Sequence, residues 1–260
     1  MTATIVGNID FAQVTLYLFW VFFFGLVIWI QRENMREGYP LQSEVTGEPC
    51  GAQPYGLPSP TTYKLPHGGG EVVKPDPNDW EPGQREFAMR KVSYFSGSAY
   101  EPTGDPLADG IGPAAYCLRM DKPDLNVEGE AKVVPMRVAQ SFSVPPGGGR
   151  DPRGFDAVGA DGEIGGVVKD IWIDTSEQTV RYFEIELPGD AGVRLVPYTL
   201  CIISRWTDSI RIHSLKSTQF AGVPTTKQPA RITLLEEDKI SAYWCGGKLY
   251  ADRDRVESQI

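Results

Sequence analysis

From Phe11 to Ile30 the chain reads FAQVTLYLFWVFFFGLVIWI, twenty residues with no charge and a single amide, Gln13. At about 1.5 Å rise per residue such a helix spans about 30 Å, the thickness of a bilayer's hydrocarbon core. A secretory leader would open on basic residues, carry a shorter apolar core and end in small residues. Here MTATIVGNID has no Lys or Arg, and the apolar run ends in Gln31-Arg32-Glu33. A soluble core helix of this length would show a polar face. The pattern therefore predicts a retained transmembrane helix over 11–31 after a short tail, 1–10. No base precedes the span, while Arg32 and Arg36 follow it at once. The positive-inside rule puts the tail in the periplasm and the rest of the chain in the cytoplasm. Trp29 and Tyr39 suit the interface, and Arg32 and Arg36 are placed to meet phosphate headgroups. With Gly25 its one small residue, the aromatic helix can sit in lipid or against partner helices.

Residues 32–115 lose all helical periodicity and fill with Pro and Gly, as in GLPSP, KLPHGGG, KPDPNDWEPG and EPTGDPLADGIGP. Proline removes donors and blocks regular ladders. A disordered linker would be poorer in large apolar groups than this stretch, with Tyr55, Tyr63, Trp80, Phe87, Tyr94, Phe95 and Tyr100. The expectation is an extended, irregular segment packed on a neighbouring surface.

From Tyr116 the pattern changes to short strands. Asp161-Gly162 between Ala157-Val158 and Ile164 is a hairpin signal. Gly166 to Asp174 reads as a strand, and so does Val180 to Leu187, where Phe183, Ile185 and Leu187 alternate with Glu184 and Glu186. Arg194-Leu195-Val196, Leu200 to Ile203 and Ser209 to His213 continue the series, which fits a small antiparallel barrel over 116–245. One helix stands out near its end. Thr233-Leu234-Leu235-Glu236 has capping-box spacing, and Gly246-Gly247 reads as the stop before a tail, 246–260.

Composition narrows the function. Thirty-four acids against 25 bases give −9, of which residues 1–31 contribute only Asp10, so a basic nucleic-acid surface is not to be expected. Cys50, Cys117, Cys201 and Cys245 lie far apart, and His67 and His213 are the only histidines, which leaves no zinc knuckle or haem-attachment motif and no predicted metal site. Scattered thiols fit a reducing compartment. No GxxxxGK[ST], GxSxG or HExxH pattern occurs, and neither histidine reads as the base of a nucleophilic triad, so a non-enzymatic chain is expected. What remains is carboxylates. Asp170, Asp174, Glu177, Glu184 and Glu186 lie within seventeen residues, interleaved with Lys169 and Arg181. Such a run is either a solvated strand face or, partly buried, a group of acids that repel one another and exchange protons cooperatively.

Several collinear segments resemble the H subunit of purple-bacterial photosynthetic reaction centres. They are Glu33 to Leu41, Pro102-Thr103-Gly104-Asp105-Pro106, Asp109-Gly110 with Gly112-Pro113-Ala114, Asp170-Ile171-Trp172, Phe220 to Thr225 and Leu234 to Ile240. The resemblance implies one transmembrane helix, an extended surface segment, and a small barrel of the PRC-barrel type with a short C-terminal helix on the cytoplasmic face. It also implies a place in the bacterial inner (intracytoplasmic) membrane beside the reaction-centre L and M subunits, with antenna and cytochrome subunits as further candidate partners. Those partners would hold the bacteriochlorophyll, bacteriopheophytin, quinones and non-haem iron, and this chain none of them as principal ligand. In this family the H chain steadies the core, shields the quinone sites and carries protons to the secondary quinone.

Carried over position by position, the resemblance makes Glu177 the relay glutamate of Asp-x-x-Glu-Gln, Asp174 its neighbouring aspartate and Arg181 the arginine that follows; Asp170 completes the set. The proton-uptake surface departs from the family's pattern. Where an aspartate and two histidines spaced HxH are expected, this chain has Asn126, Glu128 and Glu130, so Asp124, Glu128 and Glu130 are the candidates for collecting protons. Carboxylates titrate lower than imidazole, and losing two imidazoles removes the expected transition-metal site. Arg231 stands where an acid is expected before the last helix. The alternative reading is a membrane-tethered PRC-barrel adaptor with no part in electron transfer.

Overall fold

A computed structural model of the chain describes residues 4–6, 9–39, 41, 56–76, 87–95, 97–144, 149–204 and 206–252. Cys50, Tyr55 and Trp80, and the tail from 253, lie outside the described residues. The chain divides into two compact units, 1–86 with 94–97, and 87–93 with 98–260.

The first unit opens with a two-strand ladder of β1 (Thr4–Val6) and β2 (Ile9–Asp10) and runs directly into α1 (Phe11–Glu33). Asp10 caps α1 by accepting the Gln13 N–H at 2.8 Å, which satisfies one of the helix's orphan donors. No residue of α1 is buried, and its 23 residues make about 34 Å of helix. That is long enough and apolar enough to cross a membrane. Four aromatic rings pair at i, i+4 spacing along it: Phe19 stacks on Phe23 at 5.9 Å between centroids, and Trp20 on Phe24 at 5.7 Å. A 3-10 turn, Asn34–Arg36, ends the helix. The Arg36 guanidinium pairs with Glu33 at 2.6 Å and donates to the carbonyls of Ser59 (2.9 Å) and Lys74 (3.1 Å). It thereby ties the helix end to a hairpin of β3 (Thr61–Lys64) and β4 (Glu71–Lys74). Arg36 is thus engaged by protein acceptors, which changes its expected role at the lipid surface. Arg32 is exposed and reaches the Leu57 carbonyl at 3.4 Å, and Tyr39 is half-buried.

The second unit holds the large sheet and the C-terminal helix. A hairpin of β5 (Met89–Lys91) and β6 (Tyr100–Pro102) leads to the short helix α2 (Pro106–Asp109), capped by Asp105 and closed by Gly110 in the left-handed conformation. Then follow β7 (Val133–Pro135), β8 (Asp156–Val158), β9 (Ile164–Asp174), β10 (Thr179–Glu186), β11 (Val193–Pro197), β12 (Cys201–Ile203), β13 (Ser209–Ile212) and α3 (Leu234–Tyr250). The sheet order is β11-β10-β9-β8-β13-β12, with β7 also paired to β9. Gly162 (φ +82°) makes the turn of the β8–β9 hairpin at the Asp-Gly step, as its sequence predicts. The antiparallel barrel expectation needs two corrections. The hydrogen-bonded path does not close from β12 back to β11, and β8 and β13 run parallel. A parallel pair needs a long crossover, and β9 to β12 supply it.

The core gathers Trp172, Trp244, Phe220, Ile185, Ile210 and Ile212, none more than 1% exposed. Trp244 meets Phe220 edge-on at 5.1 Å, and its indole N–H donates to the Leu195 carbonyl at 2.7 Å. The capping box forms as read: Thr233 accepts the Glu236 N–H at 3.1 Å, and the Glu236 carboxylate accepts the Thr233 N–H at 2.9 Å. The stop at Gly246-Gly247 does not hold, because α3 runs on to Tyr250. These glycines serve close packing. A Cβ on Gly246 would lie 2.5 Å from the Ala114 Cβ, and one on Gly247 2.7 Å from the Ser214 carbonyl oxygen. The boundary at 116 moves as well. Leu107 and Ala114 belong to the same core as α3, so the folded unit begins well before Tyr116.

Candidate functional site

The centre of the site is the turn from β9 into β10. Asp174 closes β9 with its side chain inward, and its Oδ1 accepts the N–H groups of Ser176 and Glu177, both at 2.9 Å. This Asx turn presents Glu177 on the outside of the corner, and Gln178 completes it with φ +55°. Opposite stands Lys132, one residue before β7, whose Val133 pairs with Asp174 in the sheet. Thr175 clamps the Lys132 carbonyl through both its N–H (2.9 Å) and its hydroxyl (3.0 Å). The Lys132 ammonium faces three carboxylates: Asp174 at 3.4 Å, Glu177 at 3.6 Å and Asp124 at 3.7 Å. Side-chain exposure falls from 59% at Glu177 and 49% at Asp124, through 22% at Lys132, to 2% at Asp174. Burial alone would lower the Lys132 pKa, but the carboxylates, Asp174 foremost, outweigh it and raise the value above the ordinary lysine range. A graded set of titratable groups, wet at one end and dry at the other, can pass protons inward.

Two members of the expected relay stand elsewhere. Asp170 lies four residues from Asp174 on the same strand, a separation of about 13 Å. It pairs across the ladder with Glu184. Both carboxylates are buried, and a single nitrogen of Arg137 reaches each at 2.9 Å. The Trp172 indole N–H adds a bond to Glu184 at 2.7 Å, and Arg137 also donates to the Pro229 carbonyl. This is a second ion cluster, in which the acids are buried and the arginine reaches solvent. Arg181 sits at a register shift in β10, between Val180 opposite Ile173 and Tyr182 opposite Trp172. The bulge re-aims its side chain toward Glu237 in the first turns of α3, 4.0 Å away, instead of Glu177.

Glu128 and Glu130 stand exposed on the loop between Leu125 and Ala131, shaped by Gly129 (φ +83°) and by a bond from the Glu130 N–H to the Asn126 side chain at 2.8 Å. Glu130 and Arg231, two departures from the family pattern, line one cavity of 730 Å³. An apolar cavity of 760 Å³ lies on the β9–β10 sheet by Ile171, Ile173, Val180 and Phe183, with Arg150 at its edge. The relay carboxylates are not in its lining.

Sequence reading missed Lys132, Arg137 and Glu237. Lys132 lies 42 residues before Asp174 and Arg137 33 residues before Asp170, and the only local signal is the short apolar run Val133-Val134-Pro135 between them. Glu237 reads as an ordinary first-turn helix acid.

The chain was also compared with protein families. Residues 3–138, more than half its length, match the photosynthetic reaction centre H-chain N-terminal region. Residues 148–219, which contain β8 to β13 and the β9–β10 corner, match the PRC-barrel domain. With an apolar N-terminal helix, a mainly β unit and a C-terminal helix in that order, the chain belongs to the H-chain family of photosynthetic reaction centres, subunits that associate with the reaction-centre core.

Proposed function

We propose that this chain stabilises the L and M core, shields the quinone sites from water and delivers protons to the secondary quinone as it is reduced to quinol. The observation that carries the proton-delivery reading is the graded cluster of Glu177, Asp124, Lys132 and Asp174. Two acids meet solvent, one acid is buried, and an ammonium bridges them. A proton taken from water at Glu177 or Asp124 can reach the Asp174 carboxylate without crossing an apolar gap, since all three acids contact the same ammonium. Glu128 and Glu130 extend the negative surface outward and raise the local proton concentration.

The orientation follows from Arg32 and Arg36, with the β unit on the cytoplasmic side and the span in the bacterial inner membrane. Among the described residues no three His, Cys, Asp or Glu side chains converge on a metal, and His213 is exposed just after β13. On the family's pattern, bacteriochlorophyll, bacteriopheophytin, quinones and non-haem iron belong to the partner chains, with antenna and cytochrome subunits as further neighbours.

The test is flash-induced proton uptake in the intact pigmented complex. Glu177→Gln is expected to slow proton-coupled quinol formation about tenfold or more and to leave primary charge separation unchanged. Uptake at the wild-type rate would remove Glu177 from the path. A colourless preparation that still holds partner proteins would favour the adaptor reading.

A further inference from the structure

We propose that the apolar cavity on the β9–β10 sheet is a lipid site, which takes an acyl chain of an anionic membrane phospholipid whose phosphate meets Arg150. The cavity measures 760 Å³, within the range of about 300–1,000 Å³ usual for small-ligand sites. Its floor is two cross-strand pairs on one face of the sheet, Ile173 with Val180 and Ile171 with Phe183, and Met136 and Phe142 add to the apolar lining. Among the described residues of that lining, Arg150 is the one charged side chain, in a protein whose net charge is −9. A pocket that offers its ligand hydrocarbon, one cation and no carboxylate suits an apolar chain ending in an anionic group. The site stands apart from the proton-delivery reading, since neither Asp174 nor Glu177 is in its lining.

The rim of the cavity points to a bilayer as the source of that chain. Ile203 and Ser204, where β12 ends, line the cavity, and the turn that follows carries Trp206 at 93% exposure. The turn is fixed. Ser204 Oγ accepts the N–H groups of Trp206 (3.3 Å) and Thr207 (3.1 Å) and the Thr207 hydroxyl (2.7 Å). Arg150 ties it to the cavity: the guanidinium lies over the Phe155 ring at 4.9 Å, donates to the Thr207 carbonyl at 3.1 Å and pairs with Asp208. Cavity, cation and exposed indole are therefore held together. Tryptophan favours the headgroup level of a membrane, where its ring meets hydrocarbon and its N–H meets water. Ile202, 59% exposed on β12, adds apolar surface nearby. The chain belongs to a membrane-bound family and carries a helix long and apolar enough to cross a bilayer, so acyl chains are within its reach. The Arg150–Asp208 pair is exposed on both sides, and such pairs hold weakly. A phosphate can take the place of the carboxylate.

The test is lipid add-back to the intact, delipidated pigmented complex, with phosphatidylglycerol as the anionic probe and phosphatidylcholine as the zwitterionic one. Wild type should hold one more phosphatidylglycerol than Ile203→Trp, whose larger ring occupies the cavity, at equal pigment content. Arg150→Gln should weaken phosphatidylglycerol binding about fivefold, the share of one basic residue, and leave phosphatidylcholine retention unchanged. Equal phosphatidylglycerol in wild type and Ile203→Trp overturns the proposal. So does a loss of pigment at unchanged lipid per complex, which would mean that a core chain fills the cavity. Should Ile203→Trp not assemble, Arg150→Gln decides, and unaltered phosphatidylglycerol affinity in that variant overturns the proposal. The indole is read in the full chain in nanodiscs of brominated lipid. The emission lost on Trp206→Phe should be emission that bromine quenches, and if it is instead unquenched and open to an aqueous quencher, the bilayer is not the source and the proposal falls.

Discussion

Two positions on β9 hold charge clusters of similar composition and opposite character. Toward the strand's centre, Asp170 and Glu184 share one arginine; at its end, Asp174, Glu177 and Asp124 share one lysine. Each set has more acids than bases. In the first, both acids are buried and held at 2.9 Å by a planar guanidinium that is also anchored to the Pro229 carbonyl. In the second, the contacts are 3.4–3.7 Å, the cation is a flexible ammonium, and two of the acids meet water. Arginine suits a fixed fork, and lysine a mobile point charge. A short-bonded cluster with buried acids suits strand pairing, whereas a long-bonded, half-wet one suits the proton exchange proposed above. The difference lies in burial and donor geometry.

Removing the cation from each cluster separates the two roles most sharply. Arg137→Met leaves two buried carboxylates uncompensated, for which about 3 kcal/mol of destabilisation is expected, at the lower end because the guanidinium is itself partly exposed. Thermal unfolding followed by circular dichroism should show a Tm lower by several degrees, with proton uptake little altered in whatever fraction assembles. A Tm equal to wild type would show that the Arg137 cluster is not structural.

Lys132→Met should do the reverse. Its contacts are long, two of its three partners are solvated, and the buried Asp174 keeps its bonds from the Ser176 and Glu177 N–H groups, so the stability loss should stay near about 1 kcal/mol. Proton uptake should slow as the three acids lose their shared cation. The stability difference also has a pH signature. The folded-state Lys132 pKa is raised, so its stabilisation is complete below the unfolded value of about 10.4 and disappears as pH rises through the folded value. Wild type and Lys132→Met should therefore converge in alkaline unfolding experiments. A gap that persisted unchanged would mean the ammonium contributes no charge-dependent stability.

The smallest effect is expected at Glu237. Its folded-state pKa is raised by burial, so the acid contributes stability below its unfolded value of about 4.3 and loses it as pH rises through the folded value. A permanently neutral Gln should therefore unfold at or slightly above the wild-type temperature at pH 8 and gain nothing at pH 4. A marked loss of stability at pH 8 would show that the charged carboxylate holds the Arg181 bulge in place.

Much of this protein is written locally. Twenty uncharged residues fix α1, because a bilayer-length apolar run has few other stable solutions. Period-2 alternation fixes β10, the Asp161-Gly162 step fixes the β8–β9 turn, and Thr233 with Glu236 fixes the start of α3. The motif around Asp174 and Glu177 falls at the β9–β10 corner, where the candidate cluster gathers. What tertiary structure decided is which charges meet. The β7–β9 pairing brings Lys132 to Asp174 across 42 residues, a bulge turns Arg181 from Glu177 to Glu237, and cross-strand register joins Asp170 to Glu184. It also made Gly246 and Gly247 contact points within α3 in place of a stop, because α2 and the Ser214–Leu215 segment press against them. Local pattern sets backbone conformation through sterics and hydrogen bonding, whereas the partner of a charge depends on register and burial, which no single segment contains.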